Sequence, residues 1–489
     1  MKRTFFFGGA GAFGLFWLTL LLPGPAFAHG FGDRYDLPVP LGLYMSAGGA
    51  AVVLSFVVVG LFAKRDFKDT YPQKNLRHWT VVRMLTHPVF LGVVRALSAF
   101  VFVVYLVAGL FGTQDPNQNL VPTMTWVVFW VGAAYVSALA GDIWMLLSPQ
   151  KIIFGYAESL IWKVTGKDLA RYEPYPTRLS AWPAVLLFLA FAWVEIVYTG
   201  SGVPLNVATL VLVYSSVTFI GMWWFGRDEW LRNGEVFTIA FGFLAAFAPI
   251  HCTDPADDDG STDHGFSLRP WGAGLLTMAQ PELPRAILLV LMLAVVSFDG
   301  FVETGTWTEL LLDLFPVFSF LGAYAFSGIT TLGLIVAPFV FFGVFALTAW
   351  LMGWLVKSSL STTELVCTFV FSLVPIALAY HIAHFFSFLV IQGQRMFSLA
   401  SDPFGWGWDL FGTSDYAIDI GVVNARFIWF LSIAAIVIGH IVAVYVAYVY
   451  ALRTFGKGTA MFSQAPMLAL MAGYTMVSLW IVAQPIVEI

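Results

Sequence analysis

The sequence predicts an all-α protein: a polytopic transmembrane helical bundle of about 11–12 spans that follows a cleaved signal peptide. Three observations predict it. Of 489 residues, 59% are hydrophobic and 11% are charged, against about 25% charged in a typical soluble domain. Mean hydropathy is +0.82. Eleven stretches approach the length that a spanning helix needs, about 20 apolar residues. The same composition excludes other classes: 44 Gly and 24 Pro are too few for a collagenous or low-complexity chain, and 2 Cys cannot frame a disulfide scaffold.

The elements follow in chain order. Lys2 and Arg3 precede an apolar run over 5–22 and then Ala26-Phe27-Ala28, the pattern of a secretory signal peptide over residues 1–28. An uncleaved first helix is the alternative, but Pro23 and Pro25 just before the small-residue site favour cleavage. Cleavage leaves His29 as the mature N-terminus, outside the membrane. One integral membrane domain over 29–489 then holds spans at 41–63, 96–112, 123–147, 181–199, 207–226, 236–250, 284–303, 328–354, 363–391, 426–450 and 464–486.

Charge placement orients these spans. With the N-terminus outside, inner segments collect seventeen of the 24 Lys and Arg, among them Lys64, Lys74, Arg83, Lys151, Arg171, Arg227 and Lys357. That bias satisfies the positive-inside rule in a bacterial cytoplasmic membrane. Arg269 and Arg285 fall outside, with an acidic outer loop near 251–283; an aromatic outer loop, near 395–425, contains Phe404-Gly405-Trp406-Gly407-Trp408. One parity problem follows: Arg285 outside and Lys357 inside need an odd number of crossings between them, so an extra span near 308–327 or a re-entrant segment is expected. Residues 151–165 carry one apolar stripe flanked by Lys151 and Lys163, as in a helix lying on the inner surface.

Ionisable residues inside spans are the informative exceptions, because a charge at the bilayer centre costs roughly 2.5–3.5 kcal/mol or more. His381 and His384 share one face of the ninth span, and His440 lies mid-span on the next. Asp299 and Glu303, four apart, end an earlier span; Asp142 and Glu195 are further acids that read as structural. The His and carboxylates suit a divalent transition metal such as Zn or Cu, held by His381, His384, His440 and Asp299, with His29 as a further outer ligand. Each also has a bland reading as a hydrogen-bonded helix contact, worth about 0.6 kcal/mol in a membrane. The acidic stretch from Asp254 to Asp263 lacks the calcium-loop glycine and terminal Glu and reads as a solvated loop. No H-E-x-x-H, G-x-S-x-G or phosphate-binding loop is present, and nothing points to nucleic acid.

The segment Ala28-His29-Gly30 followed by Asp36-Leu37-Pro38-Val39-Pro40, the His381/His384 helix that runs to Gly393-Gln394, and Gly439-His440 resemble the bacterial membrane-protein family named fenitrothion hydrolase. That resemblance implies hydrolysis of an apolar organophosphorus triester that reaches the protein through the lipid bilayer. On that reading Glu303 and Asp299 are the catalytic carboxylates, Glu303 acting as general base toward water on the metal. The rival expectation is a proton- or metal-coupled transporter, or a metal-delivery factor, built from the same His and carboxylates.

Overall fold

The computed structural model describes residues 40–62, 71–76, 78–252 and 266–484. The signal segment, His29 and the acidic stretch 254–263 lie outside the described residues. Within them, nine helices are long and apolar enough to cross a membrane, and Trp182–Ile196 and Val236–Ala245 are shorter apolar helices.

The chain begins with α1 (Leu41–Phe62), passes a short strand β1 (Lys74–Asn75) and a one-turn α2 (Thr80–Leu85), and continues as α3 (Pro88–Phe111). Helix α4 (Leu120–Leu139) is wound as a π-helix over Thr123–Ala133. Helices α5 (Ile143–Leu147), α6 (Pro149–Thr165), α7 (Trp182–Ile196), α8 (Pro204–Phe225), α9 (Arg227–Asn233) and α10 (Val236–Ala245) follow. Strands β2 (Ile250–Cys252) and β3 (Phe266–Leu268) come next, then α11 (Leu283–Val302), α12 (Gly305–Phe318) and α13 (Ala325–Leu355). Helix α14 (Thr362–Gln392) tightens to 3₁₀ geometry at Val370–Leu373, just before Pro375, whose ring removes a donor from the α-helical ladder. Helices α15 (Arg395–Ser401), α16 (Ala425–Phe455), α17 (Ala460–Ser463) and α18 (Ala465–Val482) complete the chain.

Hydrogen bonds between connecting segments identify which loops share an end of the bundle. At one end, Thr113 N–H donates to Phe404 O (2.8 Å), Leu120 N–H to Pro403 O (3.2 Å), and the Arg395 guanidinium to Asn117 Oδ1 (2.5 Å). The aromatic loop is built here on Asp402, whose carboxylate accepts from the N–H groups of Trp406, Gly407 and Trp408 at 3.0, 2.6 and 3.1 Å. Phe404 is buried under Trp406, and Trp406 and Trp408 stay partly exposed, as interfacial aromatic anchors do.

At the other end the structure corrects the sequence reading. Strand β1, from the Lys-rich segment, pairs antiparallel with β3 (Lys74 opposite Leu268), and β3 also pairs with β2. The Arg285 guanidinium donates to Arg232 O (2.8 Å) and Asn233 Oδ1 (3.1 Å), and Gln280 Nε2 donates to Glu364 O (3.0 Å). Residues 266–283 and Arg285 therefore lie at the Lys74 end, not opposite it. The physical reason is length: α10 has ten residues, about 15 Å, half of what a bilayer requires. It reads as a span by hydropathy, yet it is a buried half-helix whose chain returns to the end it left: Ile250 N–H donates to Ala140 O (3.1 Å). The stretch near 308–327 belongs to one apolar helical stretch, Gly305–Leu355. Trp307 packs edge-on against Phe298 of α11, and Phe315 stacks on Phe326 at 5.2 Å, so α12 folds back along the first turns of α13.

Two other features bear on the site. The segment expected to lie flat on the inner surface, α6, instead leans into the bundle. Buried Gln150 donates to Ser215 Oγ of α8 (3.0 Å), and Ser98 of α3 donates to Leu147 O (2.6 Å). The C-terminus of α10 is closed by Arg269, whose buried guanidinium donates to Ala245 O, Ala246 O and Ala248 O at 3.0, 3.2 and 3.1 Å. A cation there meets both the orphan carbonyls and the negative end of the helix dipole. Arg269→Met is expected to lower stability by about 3 kcal/mol, read as a drop in melting temperature of the detergent-purified protein, with Arg269→Lys falling between the two.

Candidate functional site

The site lies where α11 meets α14. Asp299 and Glu303 are four residues apart, so the α-helical repeat brings both carboxylates to one side of the end of α11. Facing them is His384. Its Nε2–H donates to Asp299 Oδ2 at 2.9 Å, and its Nδ1 lies 3.9 Å from Glu303 Oε2. One imidazole thus stands between two carboxylates, each on a different ring nitrogen. Side-chain exposure is 12% for His384, 16% for Asp299 and 46% for Glu303, so the group opens to its surroundings through Glu303. In the turn past α11, the Glu303 carboxyl is pushed above the usual carboxylate value by burial; His384 pulls it down and Asp299 pushes it up.

Two positions hold this geometry in place. A Cβ at Gly300 would stand 2.6 Å from the Tyr380 hydroxyl, so glycine is what lets Tyr380, fully buried on α14, sit against α11 beside the carboxylates. The Tyr380 hydroxyl itself has no hydrogen-bond partner among the described residues. Gly300→Ala is expected to displace α14 and reduce function at least tenfold, and Tyr380→Phe in the same chain is expected to restore part of it by removing the clashing oxygen. Assays of both single variants and of the pair check this. The second position is Gly439 of α16, where a Cβ would meet Ala379 Cβ at 2.3 Å and Pro375 O at 2.7 Å. That close crossing sets where α14 carries His384.

The structure separates the other histidines from this group. His381, one residue round from Tyr380, is enclosed by the rings of Trp130, Tyr135 and Phe385 at centroid distances of 5.5, 5.5 and 4.8 Å. Both its ring nitrogens lack a hydrogen-bond partner among the described residues, while its backbone carbonyl accepts from Tyr135 OH (3.2 Å). His440 donates from Nδ1 to Ile436 O (2.8 Å) in its own helix, and its ring lies 5.7 Å from that of Tyr474. Among the described residues no three His, Cys, Asp or Glu side chains converge as the ligands of a metal do. Asp299 is therefore paired with His384 alone, His381 and His440 sit in separate surroundings, and His29 lies outside the described residues.

Two contributors were not identified as functional from the sequence. Glu195 of α7 interacts electrostatically with Asp299 and lies near Trp130. Its separation of about a hundred residues from Asp299 left no local pattern to find. Tyr380 had a usable signal: it stands four residues before His384 on the same helical face. Comparisons with protein-family models, curated protein sequences and solved structures gave no match.

Proposed function

We propose that this is a multi-pass protein of the bacterial cytoplasmic membrane that moves protons at His384, between Asp299 and Glu303, and couples that movement to passage of a solute or metal ion through the bundle. The observation that carries the reading is a single imidazole with one carboxylate at each ring nitrogen, set inside apolar helices and more open at Glu303 than at Asp299. Intramembrane ionisable groups that face the bundle interior serve ion and proton pathways. The test is reconstitution in liposomes with an imposed pH gradient, with internal pH and uptake of Zn²⁺ or Cu²⁺ followed together. Protein-dependent flux that His384→Gln removes supports the reading; flux equal to that of empty liposomes overturns it.

The arrangement that accompanies this reading has ten crossings, the nine long helices and α7, with α9 and α10 re-entrant from the Lys74 end. Placing that end in the cytoplasm moves Arg269 and Arg285 to the inner side and strengthens the charge bias. The mature N-terminus is then outside, and N-terminal sequencing of the purified protein is expected to begin at His29 after loss of residues 1–28.

One observation favours a second reading. Asp299 holds the Nε2 side of His384 and leaves Nδ1 facing Glu303 across 3.9 Å, too far for a direct hydrogen bond, so that a small widening admits a water between them. An oriented imidazole beside a carboxylate can take a proton from that water as it attacks the phosphorus of an aryl phosphotriester and the aryloxide leaves. This is the hydrolase reading that the sequence resemblance implies. Fenitrothion turnover by the purified protein, with metal content measured on the same sample, separates it from the carrier.

A further inference from the structure

A groove along α6 holds two successive clefts, the first against α8 and the second against the last residue of α8, the start of α9 and the segment that follows α6. The first, about 400 Å³, is lined by Ile153, Phe154, Ala157, Phe219, Ile220 and Trp223 and is entirely apolar in its side chains. The second, about 450 Å³, lies further toward the Lys74 end and is lined by Glu158, Lys163, Asp168, Arg227, Asp228 and Glu229. Around it, the Arg171 guanidinium stacks over Trp223 and Trp224 at 5.3 and 4.7 Å, and Trp162 is 57% exposed. Tryptophans beside charged side chains mark the level of lipid headgroups.

We propose that this groove binds one zwitterionic phospholipid, with an acyl chain in the apolar cleft and an ammonium-bearing headgroup in the charged one. The charge pattern selects the headgroup. Sites for anionic lipids are clusters of Lys and Arg; here four carboxylates surround two cations, and Arg227 is already paired with Glu158 and Asp228, each at 3.0 Å. An anionic headgroup meets net repulsion in such a cleft. A headgroup with one phosphate and one ammonium finds both a cation and several carboxylates. The order of the clefts matches the lipid: apolar toward the bilayer, charged at its edge. This site is separate from His384 and stands whether the protein transports or hydrolyses.

The experiment uses the full chain in nanodiscs of equal phosphatidylethanolamine and phosphatidylglycerol, the former carrying a photoactivatable acyl chain. Native mass spectrometry is expected to show phosphatidylethanolamine retained about fivefold over phosphatidylglycerol, with crosslinks in peptides covering 153–157 and 219–223. Glu158→Gln with Asp168→Asn is expected to bring the ratio near one, and Ala157→Trp to reduce the lipid retained. The crosslink map of the unaltered protein keeps the test decisive if Ala157→Trp fails to fold. Preferential retention of phosphatidylglycerol, crosslinks confined to other helices, or a ratio unchanged in the double variant overturns the proposal.

Discussion

His384→Gln is expected to reduce coupled flux or turnover by about 10²–10⁴-fold, the range for losing a positioned acid–base group, with little change in folding. Glutamine fills similar space and keeps a donor toward Asp299 Oδ2, now 2.9 Å from the imidazole, but it cannot accept and release a proton near neutral pH. Asp299→Asn is expected to cost nearly as much, because the amide no longer fixes which ring nitrogen of His384 carries hydrogen. Glu303→Gln is predicted to have a different signature. Burial holds that carboxyl above its usual value, so in the unaltered protein activity that requires its ionised form falls as pH drops through a midpoint above the ordinary ~4.3 of a glutamate. Glu303→Gln is expected to remove that acid-side limb of the pH profile, which a merely structural side chain would leave in place. Circular dichroism and size-exclusion profiles of the three variants separate lost chemistry from lost fold.

Sequence pattern reached the helical class and the heart of the site, and it failed where distance along the chain hides proximity. Asp299, Glu303 and His384 stood out because charge inside an apolar run is costly, and the structure brings those three together. His381 and His440 stood out for the same reason, yet helix rotation points one into an aromatic cage and lets the other bond its own backbone. Hydropathy treats 236–250 as a span because it measures apolarity and not reach. Helix α10 is apolar since eight of its ten residues are buried against protein, and burial in a bundle reads like burial in lipid. The side assignment of 266–283 inherited that error, and with it the parity problem between Arg285 and Lys357.

Glu235→Ala is expected to destabilise the protein by about 3–5 kcal/mol, the largest single effect on folding proposed here. Glu235 is 1% exposed and caps α10 from inside the bundle. Its carboxylate accepts from Phe237 N–H (2.9 Å) and Thr238 N–H (2.7 Å), from the Thr238 hydroxyl, from Tyr214 OH (2.5 Å) and from the Trp144 indole (3.4 Å). A re-entrant helix leaves its first N–H groups among apolar side chains, where no water satisfies them. One carboxylate answers two of these donors and three from side chains of α5, α8 and α10, and the positive end of the helix dipole stabilises its charge. Alanine strands all five and opens a void among Phe129, Phe237 and Trp144. Glu235→Gln retains the shape and one acceptor oxygen but turns a donor toward donors, so an intermediate loss is expected. Melting temperatures of the two variants test this order. The position of α10 against Phe129 of α4 and Phe191 of α7 predicts a further consequence: the aromatic packing behind Glu195 loosens with it. Activity in Glu235→Gln is therefore expected to fall more than its stability alone explains, measured at a temperature where the variant remains folded.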